Sequence, residues 1–102
     1  MTEKEHLLVC LGEACAEVIV NADKALRFGL GENHPDKTLD NFGLIAHELN
    51  DLYGVIELLA EHGVCFTPNS RKIEAKKKKV KHYMEYARAI GAITEEQLVT
   101  TY

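Results

Sequence analysis

Apolar residues in the first quarter of the chain recur at three- and four-residue steps, with polar residues between them. That period places the apolar side chains along one side of an α-helix. The pattern runs from about Glu3 to Phe28, where Gly29 and Gly31 can end a helix. The residues that carry it are Leu7, Leu8, Leu11, Ala14, Cys15, Val18, Ile19, Ala22 and Leu26. The sequence therefore predicts one long amphipathic helix.

A second helical pattern runs from about Leu39 to His62. Thr38 or Asp40 can cap its beginning, and Gly63 can terminate it. Its apolar stripe consists of Ile45, Leu49, Leu52, Tyr53, Ile56, Leu59 and Ala60. We therefore expect a second helix of similar amphipathic character.

A third, thinner apolar stripe begins near Asn69 or Ser70 and continues to Gly91, which predicts a third helix. The apolar run from Val64 to Pro68 is short and has no partner strand, so we expect a packed connector. Thr94 begins a Ser/Thr-x-x-Glu/Gln capping box, which predicts a short helical turn after the third helix.

These elements predict an all-α fold, an antiparallel hairpin plus a third helix, within one domain over 1–102. A chain of 102 residues offers only a limited core. The first two helices are also apolar over more than a narrow stripe. We therefore expect a bundle of three main helices per chain that is completed by homo-oligomerisation, as a homodimer or homotetramer.

Charge is distributed unevenly along the chain, whose net charge is −4. Eight of the twelve Lys and Arg residues lie from Arg71 to Arg88, whereas twelve of the sixteen acidic residues precede Phe66. The net charge disfavours a general nucleic-acid binder. The polar N-terminus and the lack of an apolar run of ~20 residues predict a cytoplasmic protein without a membrane partner.

Two pairs of carboxylates are the strongest chemical feature of the sequence. Glu13 with Glu17, and Glu48 with Asp51, are each spaced by about one helical turn, so each pair shares a helix face. Helix bundles hold metals by projecting carboxylates inward from facing helices. Ligands that are all oxygen favour Mg²⁺, with Mn²⁺ as a substitute. The alternative is that both pairs lie on solvated faces.

Cysteine and histidine do not suggest a second metal site. The three cysteines, Cys10, Cys15 and Cys65, include no Cys-x-x-Cys pair, so we expect small core residues rather than disulfides or zinc ligands. His47 adjoins Glu48 but lies about 100° from it around a helix, which favours a role in packing.

Candidate substrate contacts extend from the carboxylates in two directions. Further turns of the first helix add Asn21, Lys24 and Arg27, of which the cations suit phosphate and the amide suits a sugar or base. On the third helix, Lys76 and Lys79 share a face with Tyr83. The alternatives are that Lys24 and Arg27 favour the helix C-terminus, that the lysines are simply solvated, and that Tyr83 is a core residue.

Three stretches of the sequence carry a family resemblance, and they cover 11–18, 24–29 and 47–52. Together they resemble the MazG-like all-α nucleoside triphosphate pyrophosphohydrolases, in particular their small phage-type members. The similarity covers roughly 7–90, including the Lys-rich third helix. The Glu-x-x-Asp half of the family's motif is intact at Glu48 and Asp51. The stretches are Leu11-Gly12-Glu13-Ala14-Cys15-Ala16-Glu17-Val18, Lys24-Ala25-Leu26-Arg27-Phe28-Gly29 and His47-Glu48-Leu49-Asn50-Asp51-Leu52.

The resemblance implies an Mg²⁺-dependent attack of water on the α-phosphorus of a nucleoside triphosphate, which yields the monophosphate and pyrophosphate. Glu13 or Glu17 is the candidate base. Phage members of the family include enzymes that convert dGTP to dGMP, so a purine deoxynucleotide is the first expectation for the substrate.

The chain departs from the family at Ala14, where the first acid of a Glu-x-x-Glu motif is expected. Glu13 lies four residues before Glu17 on nearly the same face, and can supply the missing ligand. Two rival hypotheses remain. One is an inactive relative that serves as a helical interaction module, and the other is a nucleic-acid-binding protein that uses the basic third helix.

Overall fold

The computed structural model describes residues 1–94, which contain three α-helices. They are α1, Glu3–Phe28; α2, Asn41–Glu61; and α3, Ser70–Ala89. No strand occurs within 1–94, so the prediction of an all-α fold is confirmed. The helical turn predicted to begin at Thr94 extends beyond the described residues. None of the helices in 1–94 has an apolar stretch long enough to cross a membrane.

The chain divides into two units, Met1–Phe66 and Thr67–Tyr102. The first unit contains α1 and α2, which pack against each other, and the second contains α3. Residues 64–69 form neither helix nor strand. The prediction that 64–68 connect two helices is therefore confirmed, but the expected packing is wrong, because Val64 is 41% exposed and Phe66 is 64% exposed.

Side-chain caps fix where α1 and α2 begin. Thr2 Oγ1 accepts a hydrogen bond from the Glu5 backbone N–H at 3.1 Å, and the Thr2 N–H donates to Glu5 Oε1 at 2.9 Å. The bond from the Thr2 N–H also lowers the pKa of Glu5. Asp40 caps α2, where its Oδ1 accepts from the Gly43 N–H at 2.7 Å. These bonds satisfy backbone donors that a helix leaves without an internal partner.

Asn41 joins the connection between the helices to the start of α2. Its side chain is buried, with 4% exposed, and its Nδ2 donates to Gly29 O at 2.7 Å and to Glu32 Oε2 at 3.0 Å. Its backbone N–H donates to Glu32 O, and the N–H of Phe42 donates to Leu30 O. The first two N–H groups of α2 are therefore satisfied by the connection, which fixes how the chain enters the helix.

The α1–α2 hairpin is antiparallel, because the start of α1 lies beside the end of α2. Glu3 Oε2 accepts from His62 Nε2 at 2.9 Å. The least exposed positions of both helices recur at three- and four-residue steps, as expected for two helices that pack along one seam. They include Leu7, Cys10, Leu11, Ala14, Val18 and Asn21 on α1, and Ile45, Glu48, Leu52, Val55 and Leu59 on α2.

The hairpin also has a second apolar face, which is exposed. It repeats with the same heptad spacing on both helices. It consists of Leu8, Gly12, Cys15, Ile19, Ala22 and Leu26 on α1, with Phe42, Leu49, Tyr53 and Ala60 on α2. Ile19 is 69% exposed and Leu26 is 85% exposed. Each helix of the hairpin thus has one apolar face that packs against the other helix and a second apolar face that is exposed.

Asn69 caps the start of α3, and its side chain accepts from the Lys72 N–H at 3.1 Å. The helix ends before Gly91, which has a φ of 80° that glycine adopts without strain. Every residue of α3 except Ala87 is exposed. The ends of α3 are thus set by local features of the chain, and nearly all of its side chains are exposed.

Candidate metal centre

The four carboxylates predicted as metal ligands line one groove of the hairpin. Glu13 and Glu17 approach it from α1, and Glu48 and Asp51 from α2. The groove has a volume of about 390 Å³, and its other lining residues are Cys10, Ala14, Ala16 and Val55. Two carboxylate pairs that the sequence places on separate helices therefore lie beside one another.

The packing seam explains why these side chains converge. Glu48 lies on the half-buried side of α2, between the seam residues Ile45 and Leu52. Ala14 is 8% exposed and lies on the α1 side of the same groove. Position 14 thus presents a buried methyl group to the groove and no carboxylate. Glu13, the preceding residue, is exposed and contributes a carboxylate to the groove.

Most of the carboxylate charge in the groove is uncompensated. Among residues 1–94, no hydrogen bond or ion pair reaches the carboxylates of Glu13, Glu17 or Glu48. Like charges gathered in one groove repel one another, and Glu48, which is half-buried, also loses some of its hydration. A cation bound in the groove would relieve both costs.

His47 is a candidate site residue that the sequence analysis assigned to packing. Its side chain is 60% exposed, and its Nε2 lies 3.6 Å from Asp51 Oδ2. His47, Glu48 and Asp51 each offer one potential ligand atom, and these three atoms lie within 4.8 Å of one another. The expected packing role is therefore wrong within this chain. The spacing of four residues between His47 and Asp51 was the signal that could have placed them on one face.

The predicted substrate contacts on α1 do not line the groove. Asn21 is buried, with 7% exposed, and its Nδ2 donates to Glu17 O at 3.0 Å. Lys24 is half-buried. Arg27 Nε lies 3.0 Å from Asp23 Oδ2, and its guanidinium lies 5.1 Å from the centre of the Phe28 ring. The structure thus gives Asn21 and Arg27 partners of their own on α1.

The other predicted contacts belong to α3, in the second unit. Lys76, Lys79 and Tyr83 are all exposed there. The His82 ring makes an edge contact with the Tyr83 ring, with 5.6 Å between the ring centres. Tyr83 is therefore not a core residue of its unit.

The cysteines differ from the expectation that they are core residues. Cys10 is half-buried and lines the groove, whereas Cys15 and Cys65 are exposed. All three are free thiols. Cys15 belongs to the exposed apolar face of α1, so its small, weakly polar side chain matches that face rather than the seam.

In comparisons with family models, curated proteins and solved structures, nothing matches this chain. The groove itself is therefore the main indication of function. Its donors are carboxylate oxygens from two helices with one imidazole at the edge. Carboxylate oxygen suits Mg²⁺ and Mn²⁺, and an added nitrogen ligand is acceptable to Mn²⁺.

Proposed function

We propose that the chain is an Mg²⁺-dependent nucleotide pyrophosphohydrolase of the MazG-like type, which cleaves a nucleoside triphosphate to the monophosphate and pyrophosphate. The observation that best supports this proposal is the convergence of Glu13 and Glu17 with Glu48 and Asp51 in one groove. Carboxylates from facing helices are the donors that helix bundles use to hold metals.

The donor set fits a hard divalent cation. The cation would be held by the carboxylates of Glu17, Glu48 and Asp51. Glu13 would supply the carboxylate that is missing at Ala14. When bound, Mg²⁺ supplies charge neutralisation for a polyphosphate and lowers the pKa of a coordinated water. Mn²⁺ can substitute, because it accepts the same oxygen ligands.

Two of the metal-binding residues of the groove have a second role in this proposal. The exposed carboxylates of Glu13 and Glu17 are the candidate general bases, which accept the proton of the water that attacks the α-phosphorus. Glu48 is held by the packing seam, so its carboxylate is the more fixed. No side chain forms a covalent bond with the substrate.

The size of the groove and its carboxylate donors together indicate which part of the substrate it holds. Sites that enclose a whole small molecule measure about 300–1,000 Å³, and this groove, at about 390 Å³, lies near the lower limit. The groove thus has the size of a small-molecule site, and its carboxylates would hold the phosphate chain of a nucleotide through a bound cation. A purine deoxynucleotide such as dGTP is the first substrate to test. Lys24, which is half-buried and has no ion pair among residues 1–94, is the candidate on α1 for a phosphate contact.

Self-association belongs to the same proposal. The hairpin exposes a heptad-spaced apolar face on both helices, and such faces are covered in coiled coils and bundles by another helix pair. A second copy of the hairpin presents the same spacing. We propose a homodimer or homotetramer in which these faces are buried.

The test combines a substrate panel with an isotope measurement. The chain is incubated with each dNTP and NTP and Mg²⁺, and pyrophosphate and monophosphate are quantified. Hydrolysis in H₂¹⁸O places the label in the monophosphate if water attacks the α-phosphorus, and in pyrophosphate if it attacks the β-phosphorus. Asp51→Asn should abolish turnover.

Glu57→Gln is the matched control, because Glu57 is an exposed acid of α2 outside the groove. It should retain full activity. Absence of turnover with every nucleotide, or equal loss in both variants, would refute the proposal.

A second candidate function is an inactive helical interaction module. The buried methyl of Ala14 in the groove and the exposed apolar face of the hairpin favour it. Ala14→Glu distinguishes the two candidates. A gain of pyrophosphate release from an inactive chain identifies a lost catalytic site, whereas an active wild-type chain excludes the module as the sole function.

A further inference from the structure

We propose that α3 binds single-stranded nucleic acid, with phosphates on Lys72, Lys76 and Lys79 and bases stacked on Tyr83 and Tyr86. This surface uses residues and chemistry different from those of the carboxylate groove, and the proposal does not depend on the pyrophosphohydrolase activity.

Charge supports this assignment once the two units are counted separately. The hairpin unit, Met1–Phe66, has twelve acidic and four basic residues, a net charge of −8, whereas 70–89 has two acidic and eight basic residues, a net charge of +6. The whole-chain value of −4 therefore conceals a strongly cationic helix. A basic surface of this kind attracts phosphate backbones by releasing their counterions.

Among the described residues, nearly all of this positive charge is without an ion pair. In the described residues, Lys77 is the one basic side chain of α3 with an ion pair, 3.1 Å from Glu74. Arg71 and Lys72 lie in the first turn, which contains no acid. The helix dipole is positive at that end and disfavours cations. An anion bound along α3 would offset that local cost.

The basic and aromatic residues also form one continuous stripe. Lys72, Lys76, Lys79, Tyr83 and Tyr86 are separated by steps of four, three, four and three residues, so they follow one side of the helix. Lys77, Lys78 and Lys81 lie on other sides. At a rise of about 1.5 Å per residue the stripe extends about 21 Å, the reach of several nucleotides.

The two tyrosines distinguish a nucleic acid from a simple anion. Tyr83 is 58% exposed and Tyr86 is 62% exposed, and together with His82 and Glu85 they line a shallow pocket. Exposed aromatic rings beside lysines are the features on which unpaired bases stack while their phosphates are neutralised. A duplex offers no free base faces, so a single strand is the better match.

Other occupants fit these residues less well. A membrane-surface helix requires a broad face of large apolar side chains, and α3 offers a thin one, with Ile73, Val80 and Met84. An acidic peptide would match the lysines but leaves the paired tyrosines without a role. These occupants are therefore tested as competing outcomes.

The experiment measures the anisotropy of labelled oligo-dT and oligo-U, about 20 nucleotides long, with the full chain between about 50 and 200 mM salt. Lys72→Gln/Lys76→Gln/Lys79→Gln should weaken binding at least tenfold and reduce the salt slope by about 2, because each single-strand phosphate contact contributes about 0.7. Tyr83→Ala/Tyr86→Ala should weaken binding about tenfold without changing the slope.

The matched control is Lys77→Gln/Lys78→Gln/Lys81→Gln, which removes the same charge from outside the stripe. It should keep the slope within about 1 of the wild type. Circular dichroism confirms that every variant remains helical. No binding to either oligonucleotide, equal losses in the two lysine variants, or tighter binding to a duplex or to anionic phosphatidylglycerol vesicles would each overturn the proposal. A lysine-stripe variant that changes the oligomeric state would overturn it as well.

Discussion

The hairpin and α3 are both made of long amphipathic helices, but they use their polar residues in opposite ways. The hairpin places acidic side chains at its packing seam, where Glu48 is half-buried and unpaired in the described part of the chain. Its seam is otherwise apolar, with Leu59 only 4% exposed. The helix α3 has no buried residue, and its charge is carried by exposed lysines.

The effect of a charged side chain on chemistry and stability therefore depends on its surroundings. Exposed lysines of α3 are well hydrated, so they contribute a field and a salt-dependent affinity. Carboxylates against an apolar wall are poorly compensated, so they either cost stability or hold a cation. We therefore expect substitutions in the hairpin to change chemistry and stability, and matched substitutions in α3 to leave both nearly unchanged.

The largest expected difference concerns catalysis. Glu48→Gln should lower kcat/KM for pyrophosphate release by about 1,000-fold, because loss of a metal ligand removes several kcal/mol of transition-state stabilisation. Glu85→Gln, the same change on α3, should lower it by less than about twofold, since Glu85 is an exposed side chain that does not line the groove. Steady-state kinetics measure both. Comparable losses in the two variants would abolish the functional distinction between the regions.

The second difference concerns packing. Leu59→Ala should lower the free energy of unfolding by about 3 kcal/mol, because it leaves a cavity in the seam. Val80→Ala on α3 removes a side chain that is 43% exposed, and should cost less than about 1 kcal/mol. Urea titrations at one fixed protein concentration compare them. A larger cost at Val80 would show that α3 is packed in solution.

The third difference concerns two asparagines. Asn41→Ala removes bonds to Gly29 O and Glu32 Oε2 from a buried position, so it should cost about 2 kcal/mol. Asn69→Ala removes an exposed cap of α3 and should cost about 1 kcal/mol or less. The same urea titrations measure both. An equal or reversed ranking would contradict the role of Asn41 in fixing the connection.

The three helices were predictable because their periodicity and termini are local features of the sequence. The carboxylate pairs were predictable for the same reason, since Glu13 with Glu17 and Glu48 with Asp51 depend only on helical spacing. Their convergence depends on the register of α1 against α2, which the buried Asn41 helps to fix. A pattern along one helix carries no information about that register.

Three residues show where local patterns mislead. Asn21 is polar on the ligand-bearing helix, but a short amide at a seam position can bond to its own backbone, as it does to Glu17 O. Cys15 is apolar and periodic, yet it belongs to the face that the hairpin leaves exposed. His47 was compared with its neighbour Glu48, whereas its spatial partner is Asp51, one turn further on.

The smallest expected effect is a pH dependence confined to the hairpin. His62 has an acceptor at each ring nitrogen: Leu58 O lies 3.0 Å from Nδ1, and Glu3 Oε2 lies 2.9 Å from Nε2. Both nitrogens can donate at once only in the imidazolium form. The bond to Leu58 O, then the bond to Glu3 and the nearby charges of Glu3 and Glu61, raise the pKa of His62 above its ordinary value of 6.5.

A raised pKa in the folded state makes folding favour the protonated form. The stabilisation is therefore fully present below pH 6.5 and is lost as the pH rises through the folded-state pKa of His62. The urea midpoint should fall slightly over that interval in the wild type, and His62→Gln should remove that part of the decline. His82→Gln, on α3, is the matched control and should leave the decline unchanged. An identical pH profile for wild type and His62→Gln would show that the bond between Glu3, at the start of α1, and His62, at the end of α2, contributes nothing to stability.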